Sequence, residues 1–524
     1  MRVVFVWINR GGPLGMSQGV SMLATELAEA GHDVTVLHDH ESLPACPTLE
    51  HTLRRLLAAD PAVVLLSFGT NQAPLALALA ADVRRVRPGL PVMAGGVHAT
   101  LSPGDVLRSG AVGHVFQGEA DGRMDRLVQR LAAGDDLADE PGVALLVRGE
   151  VHRTPVGPLP DPRRQRLPYL AGIDYRDLCL RMRGTVDVCA GRGCAYQCTY
   201  CHNAGLAGLY RADLGRLAAG RARLRMRDPL ALLEECRRYR DVCGPALKTF
   251  AWGDDVAVSS HPFLEVWAHE YPRLFPDTPF AVNACLPHLD DEAVRLLADA
   301  GCNLVKFGLE SGSERLRRLL RRPDPALRHL QPALERLERH GLATRAYVIV
   351  GLLTETLPEL LSTFTMSARL GIDTVRPAVF FPYPGTPLHA RCEAEGLIDR
   401  VAFDRVRNYY GQSVLRHTDP DVARLIDRIM EIYPILLNAE LPGRPGAVFA
   451  PLRDRALSGT PADWHAGLRD EVLATQQAWN QRLRDEGAVF YAVPFPDRPD
   501  ASFLLRRRRR PLVNVDDEAG APPP

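Results

Sequence analysis

Three cysteines, Cys194, Cys198 and Cys201, fall within eight residues of one another on a segment that also carries Gly191 and Gly193. Thiolates are soft ligands, and three of them on a glycine-rich loop can wrap one face of a cubic 4Fe-4S cluster. Three protein ligands leave one iron open to a substrate, whereas a cluster built only to carry electrons normally takes four cysteines. A structural zinc ion is the competing use of the same residues. It needs a fourth Cys or His at tetrahedral spacing, and His202 follows Cys201 too closely for an ordinary loop to supply one. Cys189 lies inside the preceding apolar run and reads as packing.

The elements that must hold this loop follow from hydrophobic periodicity. Apolar runs at 186–190, 247–252, 280–284, 304–308, 345–350 and 374–380 alternate with helical patterns, clearest at 229–239, 291–300, 326–341 and 357–370. Successive strand-helix units predict a partial (β/α)6 barrel of TIM type over 181–395, with its site at the carboxyl ends of the strands. Upstream, runs at 3–8, 33–37, 62–68, 91–94 and 112–116 are separated by amphipathic segments such as 16–30, 73–86 and 124–132. Residues 1–140 therefore predict an α/β, doubly wound, Rossmann-like domain with a five-stranded parallel sheet. Such sheets bind ligands beyond the carboxyl ends of their strands, where 9–15, 67–71, 95–100 and Gly118-Glu119 lie. Glycines there let a bulky ligand approach the backbone, and ordinary turn chemistry is the alternative reading.

Residues 141–180 read as a connector with a short hairpin at 142–152, and 396–510 as a mainly helical region completing a substrate cavity. In that region Tyr409 and Tyr410 are either cavity lining or core aromatics. The tail 511–524 is expected to be disordered, and Arg506 to Arg510 to be a solvated basic block rather than a nucleic-acid contact. The 524 residues balance to a formal charge of zero, which gives no global field for nucleic acid or anionic lipid. No run approaches the ~20 apolar residues of a membrane span, and the first residues read as a strand, so a cytoplasmic location is expected. Eleven cysteines, mostly scattered singly, do not suggest a disulfide framework. Nearly every basic residue is arginine, Lys248 and Lys306 being the only lysines.

The cysteine spacing, with Tyr200 before the third cysteine, resembles the radical S-adenosylmethionine superfamily, and further motifs follow in the family's order. Trp252-Gly253-Asp254-Asp255 ends the second barrel strand, where the family meets the methionine amino group. Glu310-Ser311-Gly312-Ser313 follows the fourth, near the ribose, and Val350-Gly351 with Glu355 the fifth, near the adenine. Taken singly, Asp254-Asp255 or Glu310 would more often be helix caps. Pro382-Tyr383-Pro384-Gly385-Thr386-Pro387-Leu388 looks like a loop of the cobalamin-associated branch. The first domain is similar to cobalamin-binding modules in Pro13-Leu14-Gly15, Gly95-Gly96-Val97-His98 and Gly118-Glu119, with Ser67 on a neighbouring strand end. It lacks the Asp-x-His-x-x-Gly loop whose histidine ligates cobalt, and His98 is expected to hydrogen-bond ligand or backbone instead.

The resemblance implies three cofactors: a 4Fe-4S cluster on Cys194, Cys198 and Cys201, S-adenosylmethionine, and cobalamin. It implies a methyltransferase that acts on an unactivated carbon or phosphorus of a small-molecule or natural-product substrate, through a 5'-deoxyadenosyl radical and methylcobalamin. Two alternatives remain: a radical cyclase of the same architecture, like the anaerobic magnesium-protoporphyrin ester cyclases, and a non-catalytic iron-sulfur protein. A methylthiotransferase is disfavoured, because only the widely spaced Cys46, Cys179 and Cys189 precede Cys194. An external low-potential flavodoxin or ferredoxin is the expected electron donor. No residue stands out as a general base.

Overall fold

The run Arg2–Ile8 is buried along almost its whole length, as a strand covered by helices on both faces must be. In a computed structural model of the chain it lies between β2 and β3 in a sheet with order β2-β1-β3-β4-β5-β6-β7. The structure describes all residues except 16, 257–259, 287–288, 324–325, 409, 493–501 and 506–524. The strands are β1 (Arg2–Ile8), β2 (Asp33–Asp39), β3 (Val63–Phe68), β4 (Val92–Gly95), β5 (His114–Phe116), β6 (Val143–Val147) and β7 (Glu150–Arg153). The first five are parallel, and hydrophobic clusters lie on both faces of their sheet. The hairpin assigned from sequence to the connector instead extends this sheet, with Phe116 opposite Val143 in antiparallel register. It covers the edge that the three-residue strand β5 would otherwise leave open.

The chain divides into two compact units: Met1–Asp255 with Pro382–Arg391, and Val256–Phe381 with Cys392–Pro524. In the first unit, β8 (Thr185–Val188) pairs in parallel with β11 (Thr249–Trp252). Between them lie the antiparallel ribbon β9 (Gly191–Gly193) and β10 (Leu224–Met226) and the helix His202–Ala222, broken at Gly215. In the second unit, β12 (Phe280–Ala284), β13 (Cys302–Glu310), β14 (Ala343–Val350) and β15 (Thr374–Val379) form a parallel arc. All six barrel strands read from sequence are present.

The C-terminal region contains the expected long helices, Pro420–Ala439, Arg444–Ser458 and Arg469–Asp485. It also supplies two strands the sequence reading lacked: β16 (Phe490–Ala492) and β17 (Ser502–Leu505), the latter antiparallel to β15. Tyr491 fastens this hairpin by donating its hydroxyl to Ile372 O at 2.7 Å. Phe503 packs with Ala281, Leu304 and Ala343 in one apolar cluster. Among the described residues no helix is long and apolar enough to cross a membrane. The basic block 506–510, the tail 511–524 and Tyr409 lie outside the described residues.

Candidate active site: a cysteine loop beside a glycine-floored cavity

The cysteine loop leaves β8 and is fastened to the end of β11 by one carboxylate. Asp254 is buried and accepts hydrogen bonds from the backbone N–H groups of Ala190 at 2.8 Å and Gly191 at 2.5 Å. Burial pushes its pKa up to about 6, while the two amide donors pull the other way. Asp254 therefore shapes the loop, and Gly253 and Asp255 are the exposed members of the motif. The Cys201 amide donates to Cys198 O at 3.1 Å, and the Asn203 side-chain amide approaches Cys201 Sγ at 3.7 Å. Burial pushes the Cys201 thiol up to about 12, and the neighbouring Asp255, Cys198 and Cys194 add to the shift. Tyr200 is half-buried on the same loop.

A cavity of about 520 Å³ opens at the carboxyl ends of β1, β3, β4 and β5. Ser67, Gly95, Gly96, Gly118 and Glu119 line it, together with Trp7, Met22, Met93 and Met124. Gly96 sits at φ 88°, and a Cβ there would lie 2.9 Å from Phe68 O and 3.0 Å from Phe68 N, so no larger residue fits. One wall comes from the cysteine loop and the helix after it: Cys189, Gly191, Arg192, Leu206 and Tyr210. Arg192 clamps this wall to the loop after β5 through Glu119 at 2.8 Å and Asp121 at 2.7 Å, and Arg225 also binds Glu119.

Pro13, Gly15 and His98 do not line the cavity. The carbonyl of Pro13 accepts from the Asn9 side chain at 2.9 Å, and a Cβ on Gly15 would approach Asp187 Oδ2 at 3.1 Å. His98 is buried against Phe68, with Nδ1 3.3 Å from Thr70 Oγ1, and burial pulls its pKa down to about 4. A neutral, enclosed imidazole held this way packs beneath the cavity floor.

In the second unit, Glu310 ends β13 at φ 64°, a conformation a non-glycine residue adopts at a cost of about 1–2 kcal/mol. Its carboxylate lies 3.4 Å from Arg322. Ser311 is fully buried, and its hydroxyl accepts from Ser313 N at 3.1 Å. Val350 closes β14. The amides of Gly351 and Leu352 donate to Glu355 Oε2 at 2.6 and 3.0 Å, and burial lifts the Glu355 pKa to about 8. Glu355 therefore holds the backbone turn that the Gly351 motif needs.

The two halves of this arrangement correspond to two known families. Residues 8–128 match the B12 binding domain and residues 188–366 the radical SAM superfamily. The chain is a cobalamin-dependent radical S-adenosylmethionine enzyme. An uncharacterized methyltransferase of Pyrococcus horikoshii is 23% identical over 79% of this chain and 86% of its own length. The anaerobic magnesium-protoporphyrin IX monomethyl ester cyclase of Rubrivivax gelatinosus is 24% identical over 67% of the chain and 61% of its own. The structure of the radical S-adenosylmethionine methyltransferase TsrM from Kitasatospora setae, with cobalamin and a 4Fe-4S cluster bound, superposes with a TM-score of 0.61. It is 16% identical and covers 75% of each chain, a shared fold.

The cofactors of this radical S-adenosylmethionine enzyme are a 4Fe-4S cluster, S-adenosylmethionine and cobalamin. The residues fit them. Among the described residues no three Cys, His, Asp or Glu side chains are gathered as a metal site. The chemistry of the loop supplies the fit instead: three soft donors lie within Coulombic reach of one another, and an iron cation would reverse the rise that burial imposes on the Cys201 thiol. For cobalamin the fit is the roomy floor of Gly95, Gly96 and Gly118. Sequence reasoning missed Arg192 and Tyr210, which carry no motif; the alternation of Leu206 and Tyr210 on a helix after the cysteines was the available signal.

Proposed function

We propose that this enzyme transfers a methyl group to an unactivated carbon or phosphorus of a small-molecule or natural-product substrate. The observation that carries the reading is the shared wall: Cys189, Gly191, Arg192, Leu206 and Tyr210 belong to the cysteine loop and its helix, and they also enclose the cavity over Ser67, Gly95, Gly96 and Gly118. A reaction that needs a radical source and a methyl donor together requires such adjacency. When bound, the cluster with S-adenosylmethionine supplies a 5'-deoxyadenosyl radical and cobalamin supplies the methyl group.

The chain's own residues bind, orient and exclude water. Cys194, Cys198 and Cys201 hold the cluster, and Asp254 fixes their loop through two amides. Tyr200, Gly253, Asp255, Glu310, Ser311, Val350 and Gly351 are assigned to S-adenosylmethionine, with Glu355 setting the Gly351 turn. Gly95, Gly96, Gly118 and Ser67 form the cobalamin floor, while Met22, Met93 and Met124 keep water off its face. A flavodoxin or ferredoxin supplies the electron.

The test is iron and cobalt per chain, measured anaerobically on wild type and Cys198→Ala, followed by co-product analysis. Expected are about four irons and one cobalt, with only iron lost in the variant, and formation of both S-adenosylhomocysteine and 5'-deoxyadenosine. Iron without cobalt overturns methyl transfer. The similarity to the cyclases favours one second reading, a radical cyclisation, which predicts 5'-deoxyadenosine without stoichiometric S-adenosylhomocysteine.

A further inference from the structure

We propose that the inner face of the β12–β15 arc receives an oxyanion of the substrate, a carboxylate or a phosphate, on Lys306, Arg345 and Arg376 with the phenols of Tyr347 and Tyr410. The inference rests on the reading above, in which the chain acts on a small-molecule substrate, and it names a property of that substrate.

Strand alternation fixes the face. On β13, Phe307 points outward and lines a small cavity with Leu330 and Ala333 of the covering helix Leu330–Arg339, so Lys306 points the opposite way. On β14, Ala346 and Val348 are buried while Arg345, Tyr347 and Ile349 are half-buried, and on β15 Arg376 and Ala378 lie on the half-buried side. The register aligns the polar residues: Lys306 stands beside Arg345, and Tyr347 beside Arg376. One step toward the amino ends, Leu304 stands beside Ala343, and these two pack with Ala281 and Phe503 as an apolar floor.

Each polar residue is held in place. The Arg345 guanidinium lies 5.9 Å from the centre of the Phe503 ring. Arg376 donates to the Tyr410 hydroxyl at 2.8 Å and lies 5.5 Å from the centre of its ring. Desolvation acts to raise the Tyr347 phenol, but Lys306, Arg345 and Arg376 together hold it below the ordinary tyrosine range. Asp373 accepts from Thr344 N at 2.9 Å and from its hydroxyl at 3.0 Å on the outer side of the arc, and Glu310 faces Arg322. An anion entering among these three cations, on two adjacent levels above an apolar floor, gains poorly screened attraction from each of them. Lys306, one of two lysines in a chain that otherwise uses arginine, adds a compact point charge beside the guanidinium fork of Arg345.

The test titrates inorganic phosphate and, separately, succinate into the cofactor-loaded full chain at low ionic strength by calorimetry. It is done with and without saturating S-adenosylmethionine, for wild type, Lys306→Met and Arg376→Met. Expected is one anion site, weakened at least tenfold in each variant and unaffected by S-adenosylmethionine. Preference for phosphate assigns a phosphorylated substrate, and preference for succinate a carboxylate. Glutamine at the same positions gives the same tenfold loss and replaces methionine if those variants do not fold. No binding of either anion, or binding retained in the variants, overturns the proposal. So does competition by S-adenosylmethionine, which would give these cations to its own carboxylate. S-adenosylmethionine cleavage by wild type is followed in parallel: cleavage without anion binding defeats only this inference, and anion binding without cleavage defeats the enzymatic reading.

Discussion

The two surfaces that face ligands are built by opposite means. In the first unit the cavity exists because side chains are missing: Gly95, Gly96 and Gly118 stand at strand ends where a Cβ would fill the space or strike the backbone. In the second unit the inner face of the arc carries long charged side chains, Lys306, Arg345 and Arg376, on strands whose outer faces are ordinary core. A surface made by omission selects for size and apolar fit, and one made by charge selects for a complementary group. Substitutions should therefore fail differently in the two regions.

Filling the first surface gives the largest expected loss. Gly96→Val places a branched Cβ against Phe68 O and N at a positive φ. It should cost about 3 kcal/mol in denaturant unfolding and lower cobalt per chain at least tenfold. Unchanged cobalt and stability would remove the steric basis of the comparison. Next, Arg192→Met leaves the partly buried carboxylates of Glu119 and Asp121 without their shared cation. A loss of about 2 kcal/mol is expected in the same assay, with Arg192→Lys recovering only part because it cannot fork to both acids.

A smaller effect concerns His38, which is buried with its ring stacked on Trp7 at 4.3 Å. Burial pulls its pKa down to about 3, whereas unfolded histidine charges near 6.5. The stability this neutral ring contributes is full above pH 6.5 and falls as the pH drops below it. Between pH 7 and 5.5 wild type should lose about 1 kcal/mol more than His38→Phe; equal losses would exclude this ring as the cause. Last and smallest, Lys306→Met should leave the thermal midpoint unchanged or slightly raised, since a buried charge is replaced by an apolar chain of similar length. A large destabilisation would show that the charges of the arc are structural.

The two regions also differed in how openly the sequence displayed them. Omission is visible: glycines at the ends of apolar runs, like three cysteines in eight residues, mark themselves, and all the parallel strands were legible from their apolar runs. Charge inside a barrel strand is not visible in the same way. Arg345 and Arg376 alternate with Ala346 and Pro377 just as a solvent-facing residue would, and only pairing shows which side is enclosed. His98 looked like a ligand residue because it follows the glycines, yet the turn at Gly96 directs it beneath the floor toward Phe68 and Thr70. The helix His202–Ala222 was hidden by its many glycines and alanines, which blur the helical period. Strand β17 is four residues long, too short to announce its partner.

That short strand sets the order in which the protein can be completed during synthesis. Phe503 pairs with Thr374, about 130 residues earlier in the chain. At 5–20 residues per second, a ribosome needs about 6–26 s to travel between them. For that interval the outer edge of β15 has no strand beside it and the floor under Lys306 and Arg345 lacks its aromatic ring. The nascent arc thus presents an open strand edge long after its own strands have been made, and its dependence on chaperones should be greatest in that window.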